Sequence, residues 1–235
     1  MKIREINSQY NVVKAGSIPD RIAARMRMKM YERFLSFGPD PDDTILEVGA
    51  TSDRTQLASN YLVSWYPHKQ KITVCGIDDA SFLEKEYPGL RFLRADGRKL
   101  PFASDSFDYV HSSAVFEHVG SAEDQVMFVA ELWRVARKGI FLTTPNRWFP
   151  IEFHTVLPVL HWLPKPVFRK LIRLMGHREL ALEKNLNLVG RHDLTRTCSL
   201  AGIRDCRIDS VSLLAWPSNL LLSARKASST GARTR

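Results

Sequence analysis

The sequence predicts an α/β fold built on a doubly wound, mostly parallel sheet of seven strands. Short apolar runs alternate with helical stretches along the first part of the chain, which is the pattern of consecutive right-handed strand–helix–strand units. Near the end, two longer strands follow each other with only a tight connection, and such a hairpin must be antiparallel. A segment after the fifth strand is too long for an ordinary connection, so we interpret it as an insertion at the ligand-binding end of the sheet.

The individual elements follow from apolar periodicity and from the residues that end each run. An N-terminal helix at about residues 20–37 has apolar side chains four residues apart, and Gly38-Pro39 ends it. The other predicted helices lie near 53–65, 82–87, 122–136 and 193–200. The predicted strands are 44–48, 72–77, 90–93, 107–111, 139–143, 203–214 and 218–226. The last two strands are joined at Ala215-Trp216-Pro217, and the insertion spans about 145–189.

The composition fits one soluble globular domain. The chain has 235 residues, of which 44% are hydrophobic and 25% charged, and these values exclude collagen-like, disordered and disulfide-rich classes. We expect a single domain over residues 1–226 and a disordered tail over 227–235. Three well-separated cysteines, the lack of a signal peptide and the lack of a membrane-length apolar run favour a cytoplasmic location.

Polar residues or glycines stand at the ends of the first four predicted strands. A carboxylate at a strand tip can bind both hydroxyls of a ribose, and a glycine that leaves a strand lets the backbone approach a ligand closely. The sequence therefore predicts a ligand site at this edge of the sheet. The candidate residues are, strand by strand, Glu47 and Gly49, Asp78 and Asp79, Asp96 and Gly97, and Ser112 and Ser113.

The order of these residues resembles the class I S-adenosylmethionine-dependent methyltransferases, in particular the methyltransferase type 11 group, which is similar to ubiquinone and menaquinone biosynthesis methyltransferases. The resemblance covers about residues 44–144. Its most specific part is Asp-Gly-x-x-Leu-Pro-Phe-x-x-x-x-Phe-Asp from Asp96 onward, followed by Glu117-His118-Val119. It implies a Rossmann-like fold with an antiparallel terminal hairpin, and S-adenosylmethionine as the cofactor. The chain departs from the family at Thr51 and Asp53, where glycines are usual.

The resemblance also implies a contact for each strand-end residue. The implied contacts are Glu47 and Gly49 at the methionine end, Asp78 at the ribose hydroxyls with Asp79 beside it, Asp96 and Gly97 at the adenine, and Ser112 and Ser113 beneath the sulfonium. Because Thr51 and Asp53 replace the usual glycines, we expect the methionine carboxylate to be held elsewhere, by Arg54 or by a basic residue of the first helix such as Arg25.

Two histidines are candidates for the general base that a hydroxyl acceptor needs. Histidine is the side chain that titrates near neutral pH. His118 follows the fourth strand, and His154 lies among aromatic residues of the insertion. We expect His154 to lie nearer the acceptor than His118, and the alternative for each is a structural histidine. No metal-ligand cluster is visible in the sequence, so we predict no metal.

The predicted function is S-adenosylmethionine-dependent methyl transfer to a small-molecule, lipid-linked or glycan acceptor, at oxygen rather than at nitrogen or carbon. Two alternatives remain open: a noncatalytic binding or regulatory protein of this fold, and a nucleic-acid methyltransferase. The net charge of +9 favours nucleic acid, but no Asn-Pro-Pro-Tyr type of motif follows the fourth strand, so we do not expect a nucleic-acid partner. The basic segment Lys165–Arg178 is either an ordinary surface helix or a peripheral contact with an anionic membrane.

Overall fold

The fold is taken from a computed structural model of the chain, which describes residues 15–54 and 58–227. The predicted tail lies outside the described residues except for Ala227. Residues 55–57 of the helix predicted at 53–65 also lie outside them.

The described residues form one sheet of seven strands. The strands are β1 (Ile45–Val48), β2 (Ile72–Gly76), β3 (Arg91–Arg94), β4 (Phe107–Ser113), β5 (Ala136–Pro145), β6 (Arg207–Leu213) and β7 (Trp216–Arg225). Their order across the sheet is β3-β2-β1-β4-β5-β7-β6. The pairs among β1 to β5 are parallel, whereas β7 pairs antiparallel with both β5 and β6. The predicted α/β class, with its parallel core and antiparallel C-terminal hairpin, is confirmed.

Helices cover both faces of this sheet. Within the described part of the chain the α-helices are α1 (Ile18–Ser36), α2 (Tyr61–Trp65), α3 (Phe82–Glu86), α4 (Ala122–Val135), α5 (Lys165–Leu174) and α6 (Arg191–Leu200). Side chains of α1, α2 and α3 form one apolar core with one face of the sheet, and side chains of α4 and α6 form a second core with the other face. None of the described helices is long and apolar enough to span a bilayer.

The helix predicted at 53–65 is wrong in its start, because α2 begins only at Tyr61. Asn60, immediately before it, has a left-handed backbone with φ of 50°. The Asn60 side chain accepts a hydrogen bond from the Thr51 backbone N–H and donates one to the Thr51 carbonyl, both at 2.9 Å. These bonds hold the loop after β1 against the start of α2, and a side chain that satisfies backbone groups in this way competes with helix formation.

The terminal hairpin turns two residues earlier than predicted, and its first strand is shorter. Leu214 and Ala215 form the turn with φ values of 50° and 65°, which is the backbone twist that matches a two-residue hairpin. Pro217 therefore lies in β7, opposite Ser212, next to an irregularity in the ladder. The predicted strand at 203–214 begins only at Arg207.

The insertion has a small apolar core of its own. Phe168 and Ile172 of α5 pack there against Leu180, Leu186 and Leu188. The predicted basic helix at 165–178 ends at Leu174, because Gly176 adopts a positive φ of 97°, the conformation that commonly ends a helix.

A buried carboxylate in β4 fixes the start of β1. Asp108 Oδ2 accepts hydrogen bonds from the backbone N–H of Thr44 at 3.0 Å and from its hydroxyl at 2.9 Å, and Oδ1 accepts one from Arg137 at 3.1 Å. Burial raises the pKa of Asp108, but the bonds from Thr44 and the charges of Lys138 and Arg137 outweigh it, so the pKa lies below its ordinary value. Asp108 is therefore a structural anion rather than part of a ligand site.

We expect Asp108→Ala to lower the free energy of unfolding by about 1–3 kcal/mol, because the Thr44 donors lose a buried acceptor. A lowered folded-state pKa stabilises the fold above the unfolded pKa of about 3.9, so the difference from wild type should shrink as pH falls below that value. Urea unfolding at neutral and acidic pH measures both effects. The exposed Asp205→Ala is the matched control, and a loss of stability equal at both pH values would contradict this account.

Candidate cofactor and acceptor site

A cavity of about 500 Å³ lies at the carboxyl ends of the parallel strands, where doubly wound sheets bind their ligands. Residues that follow β1, β2, β3 and β4 contribute to its wall. The insertion contributes His154, Lys184 and Asn185, and α1 contributes Arg27. The insertion therefore forms part of the wall of this cavity, and its role at a substrate stays a prediction.

Five of the eight predicted cofactor residues line this cavity, and three do not. The five lining residues are Glu47, Gly49, Asp96, Gly97 and Ser113.

The other three predicted residues, Asp78, Asp79 and Ser112, lie next to the cavity rather than in its wall. Asp78 is buried directly after Ile77, which does line the cavity. Asp79 is exposed, and its carboxylate accepts a hydrogen bond from the backbone N–H of Ser81 at 3.0 Å. Ser112 is fully buried and donates its hydroxyl to the carbonyl of Val48 at 2.8 Å, so it links β4 to β1.

Two of the lining glycines are required by close packing. Gly49 has a φ of 107°, and a Cβ added there would lie 2.0 Å from Cγ2 of Val115. A Cβ added at Gly97 would lie 2.4 Å from the ring of Phe128. Both glycines therefore let the cavity wall approach the loop and helix that follow β4, which no larger residue allows.

Asp96 is held in place by an arginine. Its two carboxylate oxygens accept hydrogen bonds from Arg98, with Nη2 at 2.7 Å from Oδ2, and Arg98 Nη1 also donates to Asp124 at 3.0 Å. The bond from Arg98 is the main reason that the pKa of Asp96 lies below its ordinary value. Asp96 is thus an ionised, oriented acceptor at the rim of the cavity.

A buried polar chain that sequence reasoning missed lies beneath the cavity. His111, inside β4, contacts Glu47 through Nδ1 and lies 3.0 Å from the Tyr61 hydroxyl through Nε2. Because a carboxylate only accepts, Nδ1 carries the proton and Tyr61 donates to Nε2. Burial, followed by the charge of Glu47, raises the pKa of Tyr61. The signal in the sequence was a histidine within a predicted strand, directly after Tyr109 and Val110.

The basic residue of α1 that reaches the cavity is Arg27, not Arg25. Arg27 lines the cavity, and its buried Nη1 has no hydrogen-bond partner among the described residues. Burial lowers the pKa of Arg27, and nearby Tyr61, Asp20 and Asp53 oppose that shift only in part. Arg54, the other predicted cation, is exposed and pairs with Glu86 at 3.5 Å. An incompletely paired buried cation at a cavity wall is suited to an anionic ligand group.

The two predicted catalytic histidines both line the cavity and contact each other. Nε2 of His154 lies 3.0 Å from Nε2 of His118, and Nδ1 of His154 donates to Glu152 at 2.6 Å. Burial lowers the pKa of His154, but Glu152 and Glu117 outweigh burial, so the net shift is upward. Burial and the neighbouring His154 lower the pKa of His118 to about 3. The two histidines therefore line the cavity as a pair, and the position of His154 nearer the acceptor stays a prediction.

Glu152 orients His154 within this pair. The sequence analysis assigned no specific role to Glu152. It is buried, and its oxygens accept from the backbone and ring of His154 and from the backbone and hydroxyl of Thr155. Burial alone would raise the pKa of Glu152, but His154 and these hydrogen bonds lower it to about 2. Glu152 is an ionised anchor for His154.

The comparisons with known proteins agree with this geometry. The family model described as "Methyltransferase domain" matches residues 56–143. The chain is similar in fold to a SAM-dependent methyltransferase from Aquifex aeolicus, with 14% identity, coverage of 89% of this chain and 98% of that chain, and a TM-score of 0.56. A SAM-dependent methyltransferase from Methanosarcina mazei has 17% identity, coverage of 82% and 96%, and a TM-score of 0.52.

A further solved structure, PigF with SAH, has 15% identity, coverage of 82% of this chain and 53% of that chain, and a TM-score of 0.52. The search of curated proteins gives no match to this sequence. Identities at this level show a shared fold.

Proposed function

We propose that this chain, which carries a methyltransferase domain of the type 11 family and has S-adenosylmethionine as its cofactor, methylates a hydroxyl oxygen of a small-molecule, lipid-linked or glycan acceptor. The observation that carries the proposal is that one cavity is lined by two kinds of residue. Arg27, Glu47 and the glycine-containing strand ends form part of its wall, and the histidine pair forms another part. This arrangement fits a charged nucleoside cofactor that meets an acceptor at the histidines.

The cofactor fits the residues present in the first part of the wall. Arg27 offers a buried cation with an unpartnered Nη1 for the methionine carboxylate, and Gly49 leaves a close approach to the backbone of the β1 loop. Asp78 would accept the ribose hydroxyls, and Asp96 with Gly97 would contact the adenine. Bound S-adenosylmethionine supplies a methyl group already activated by a sulfonium, so the chain contributes alignment and charge.

Two variants distinguish the contact to the carboxylate from the contact to the ribose. Arg27→Met should weaken S-adenosylmethionine binding roughly 10- to 150-fold, because a hydrogen-bonded charge contributes about 1.5–3 kcal/mol. It should leave 5′-methylthioadenosine, which lacks the carboxylate, unaffected. Asp78→Ala should weaken both ligands by roughly 5- to 150-fold, because both have the ribose.

Calorimetric titration of the folded variants measures these affinities, and Arg25→Met, an exposed neighbour on α1, is the matched control. Equal losses for both ligands in Arg27→Met would remove the carboxylate assignment, and an unchanged affinity in Asp78→Ala would remove the ribose assignment. Failure of the wild-type chain to bind S-adenosylmethionine at millimolar concentration would favour the noncatalytic alternative.

The histidine pair would remove a proton from the attacking hydroxyl. In-line methyl transfer to an oxygen needs the hydroxyl aligned with the sulfonium and its proton taken up nearby. His154 and His118 are the polar side chains proposed for this step, and Ser113, at the end of β4, lines the same cavity. Glu152 would keep His154 in one orientation.

His154→Ala should lower methyl-transfer turnover by about 10²- to 10⁴-fold with little change in the dissociation constant of S-adenosylmethionine. The assay follows transfer of a radiolabelled methyl group to a panel of hydroxylated small molecules, lipid-linked sugars and glycans. His192→Ala on the exposed start of α6 is the control. A parallel loss of stability and cofactor affinity would identify His154 as purely structural, and methylation of amines alone would replace the oxygen assignment.

A lipid-linked acceptor is supported by the surface of α5. Phe168 and Ile172 are buried, whereas Lys170, Arg173 and Leu174 are exposed. Exposed apolar and basic side chains side by side are suited to the interface of an anionic membrane. We propose that this surface docks on anionic lipid and brings the insertion toward a lipid-linked substrate. The three free thiols and the docking surface together favour a cytoplasmic location at the membrane.

We expect the protein to bind phosphatidylserine-containing vesicles and to bind neutral phosphatidylcholine vesicles far more weakly. The double variant Lys170→Glu/Arg173→Glu should reduce binding by roughly 30-fold or more, at about 1 kcal/mol for each basic residue. Vesicle flotation measures the bound fraction. The control Arg33→Glu/Arg204→Glu makes the same charge change at exposed sites on α1 and before β6. Equal losses in both double variants would show a general charge effect and contradict docking through α5.

A further inference from the structure

A cluster of three potential metal ligands lies where the segment after β4 meets the insertion. Glu117, His118 and His154 each offer one ligand atom, and these atoms all lie within 4.8 Å of one another. Glu117 and His118 belong to a short 3-10 helix, Phe116–His118, and His154 comes from the insertion. We refer to these three residues as the Glu117–His118–His154 cluster.

The hydrogen bonds of the two imidazoles fix which nitrogen carries a proton. Nδ1 of His118 lies 2.6 Å from the carbonyl oxygen of Asn185, and Nδ1 of His154 lies 2.6 Å from the carboxylate of Glu152. Both partners accept, so both Nδ1 atoms must donate. In the neutral rings both Nε2 atoms then carry lone pairs, and these atoms face each other at 3.0 Å. Two opposed lone pairs at this distance repel each other, and a cation between or beside them would remove that repulsion.

Glu117 brings a buried carboxyl group close to the same point. The residue is fully buried, and its Oε2 accepts a hydrogen bond from the Thr144 hydroxyl at 2.9 Å. Its Oε1 is also buried, has no hydrogen-bond partner among the described residues, and lies 3.9 Å from Nε2 of His118. A buried carboxylate oxygen without a donor is costly unless a cation balances it.

We propose that Glu117, His118 and His154 bind one divalent transition-metal cation such as Zn²⁺, through the two Nε2 atoms and Oε1. Two imidazoles and one carboxylate are a common ligand set for such ions. Metal–nitrogen bonds of about 2.0–2.1 Å in a tetrahedral site put the two nitrogens about 3.3 Å apart, close to the spacing in the structure. The bonds from Glu152 and Asn185 supply the outer partners that orient metal-bound histidines.

A metal explains the cluster better than a proton shared by the two histidines. A proton on Nε2 of His154 would pair the imidazoles but would leave Oε1 of Glu117 without a partner. A divalent ion uses all three ligand atoms at once. Both histidines line the cavity, so a fourth position of the ion would face the space assigned to the acceptor.

The metal site adds a catalytic group to the proposed function, and the catalytic role of the metal rests on that function. The ion would bind the acceptor oxygen at its fourth coordination position and lower the pKa of that hydroxyl, so that the proton passes to solvent water and the oxygen attacks the methyl group without a free histidine base. Glu117, His118 and His154 would then act as metal ligands that hold the acceptor in line with the methyl group.

The test is metal binding by the full chain, with neither cofactor nor acceptor present. Chelator-treated protein is titrated with Co²⁺, and we expect one ion per chain, with the visible d–d absorption of a four- or five-coordinate site, displaced by Zn²⁺. Loss of an outer partner weakens metal binding by about 10- to 100-fold, so we expect an effect of that size for Glu152→Gln. His154→Ala and Glu117→Gln each remove a ligand and should weaken Co²⁺ binding by more than this. His192→Ala, at an exposed histidine, should leave binding unchanged.

The proposal would be overturned if no Co²⁺ absorption is seen at a millimolar Co²⁺ concentration. It would also be overturned if both His154→Ala and Glu117→Gln still bind Co²⁺ as the wild type does. If Co²⁺ absorption is absent and a nitrogen NMR spectrum shows a proton shared between the two histidines, then the histidines are paired by a proton and not by a metal ion. Circular dichroism and S-adenosylmethionine affinity of each variant show that it is folded. Failure of metal binding with intact cofactor binding and methyl transfer affects this proposal alone, whereas failure of cofactor binding removes the proposed function and leaves the metal result standing.

Discussion

β1 pairs in parallel with β2 on one side and with β4 on the other, and the position of the whole site depends on this arrangement. Parallel strands end at the same edge of a sheet, so the residues that follow β1, β2, β3 and β4 meet there although the chain separates them widely. Glycines let the segments come this close. The Cβ that Gly76 lacks would lie 2.6 Å from the carbonyl of Ala50, and at Gly49 it would overlap Val115. The cavity is therefore a direct result of strand pairing.

Several buried or partly buried charged groups lie at this edge of the sheet, and two of them are only partly hydrogen-bonded within the described chain. Glu47 is paired with His111, but Arg27 and Glu117 each keep a buried polar atom without a hydrogen bond among the described residues. Such groups lower stability unless something else pairs with them. Strained or incompletely satisfied groups in one place are typical of a binding site rather than of a structural core. The proposed carboxylate at Arg27 and the proposed cation at Glu117 would each balance one of them.

The insertion is tied to the site by buried hydrogen bonds and does not simply lie on the sheet. The backbone N–H of Asn187 donates to the carbonyl of Glu117 at 2.7 Å, and its side chain donates to the carbonyl of Gly120 at 3.0 Å. Gln125 of α4 donates in turn to the carbonyls of Phe116 and Asn187. These bonds hold the segment after β4 against the insertion, so His118 and His154 meet at a fixed distance. The histidine pair depends on this contact as much as the strand-end residues of the cavity depend on the sheet.

The sequence by itself determined the α/β class, the antiparallel terminal hairpin and the strand ends that carry Glu47, Asp96 and Ser113. These features follow from apolar periodicity and from residue type, both of which are local. Only the tertiary structure decided that Arg27 rather than Arg25 reaches the cavity, because that depends on the rotation of α1 against the sheet. It also decided that His154 lies next to His118 and close to Glu117, whose Oε1 has no hydrogen-bond partner among the described residues. The insertion folds back over the end of β4, and no periodicity along the chain encodes the distance between side chains 36 residues apart.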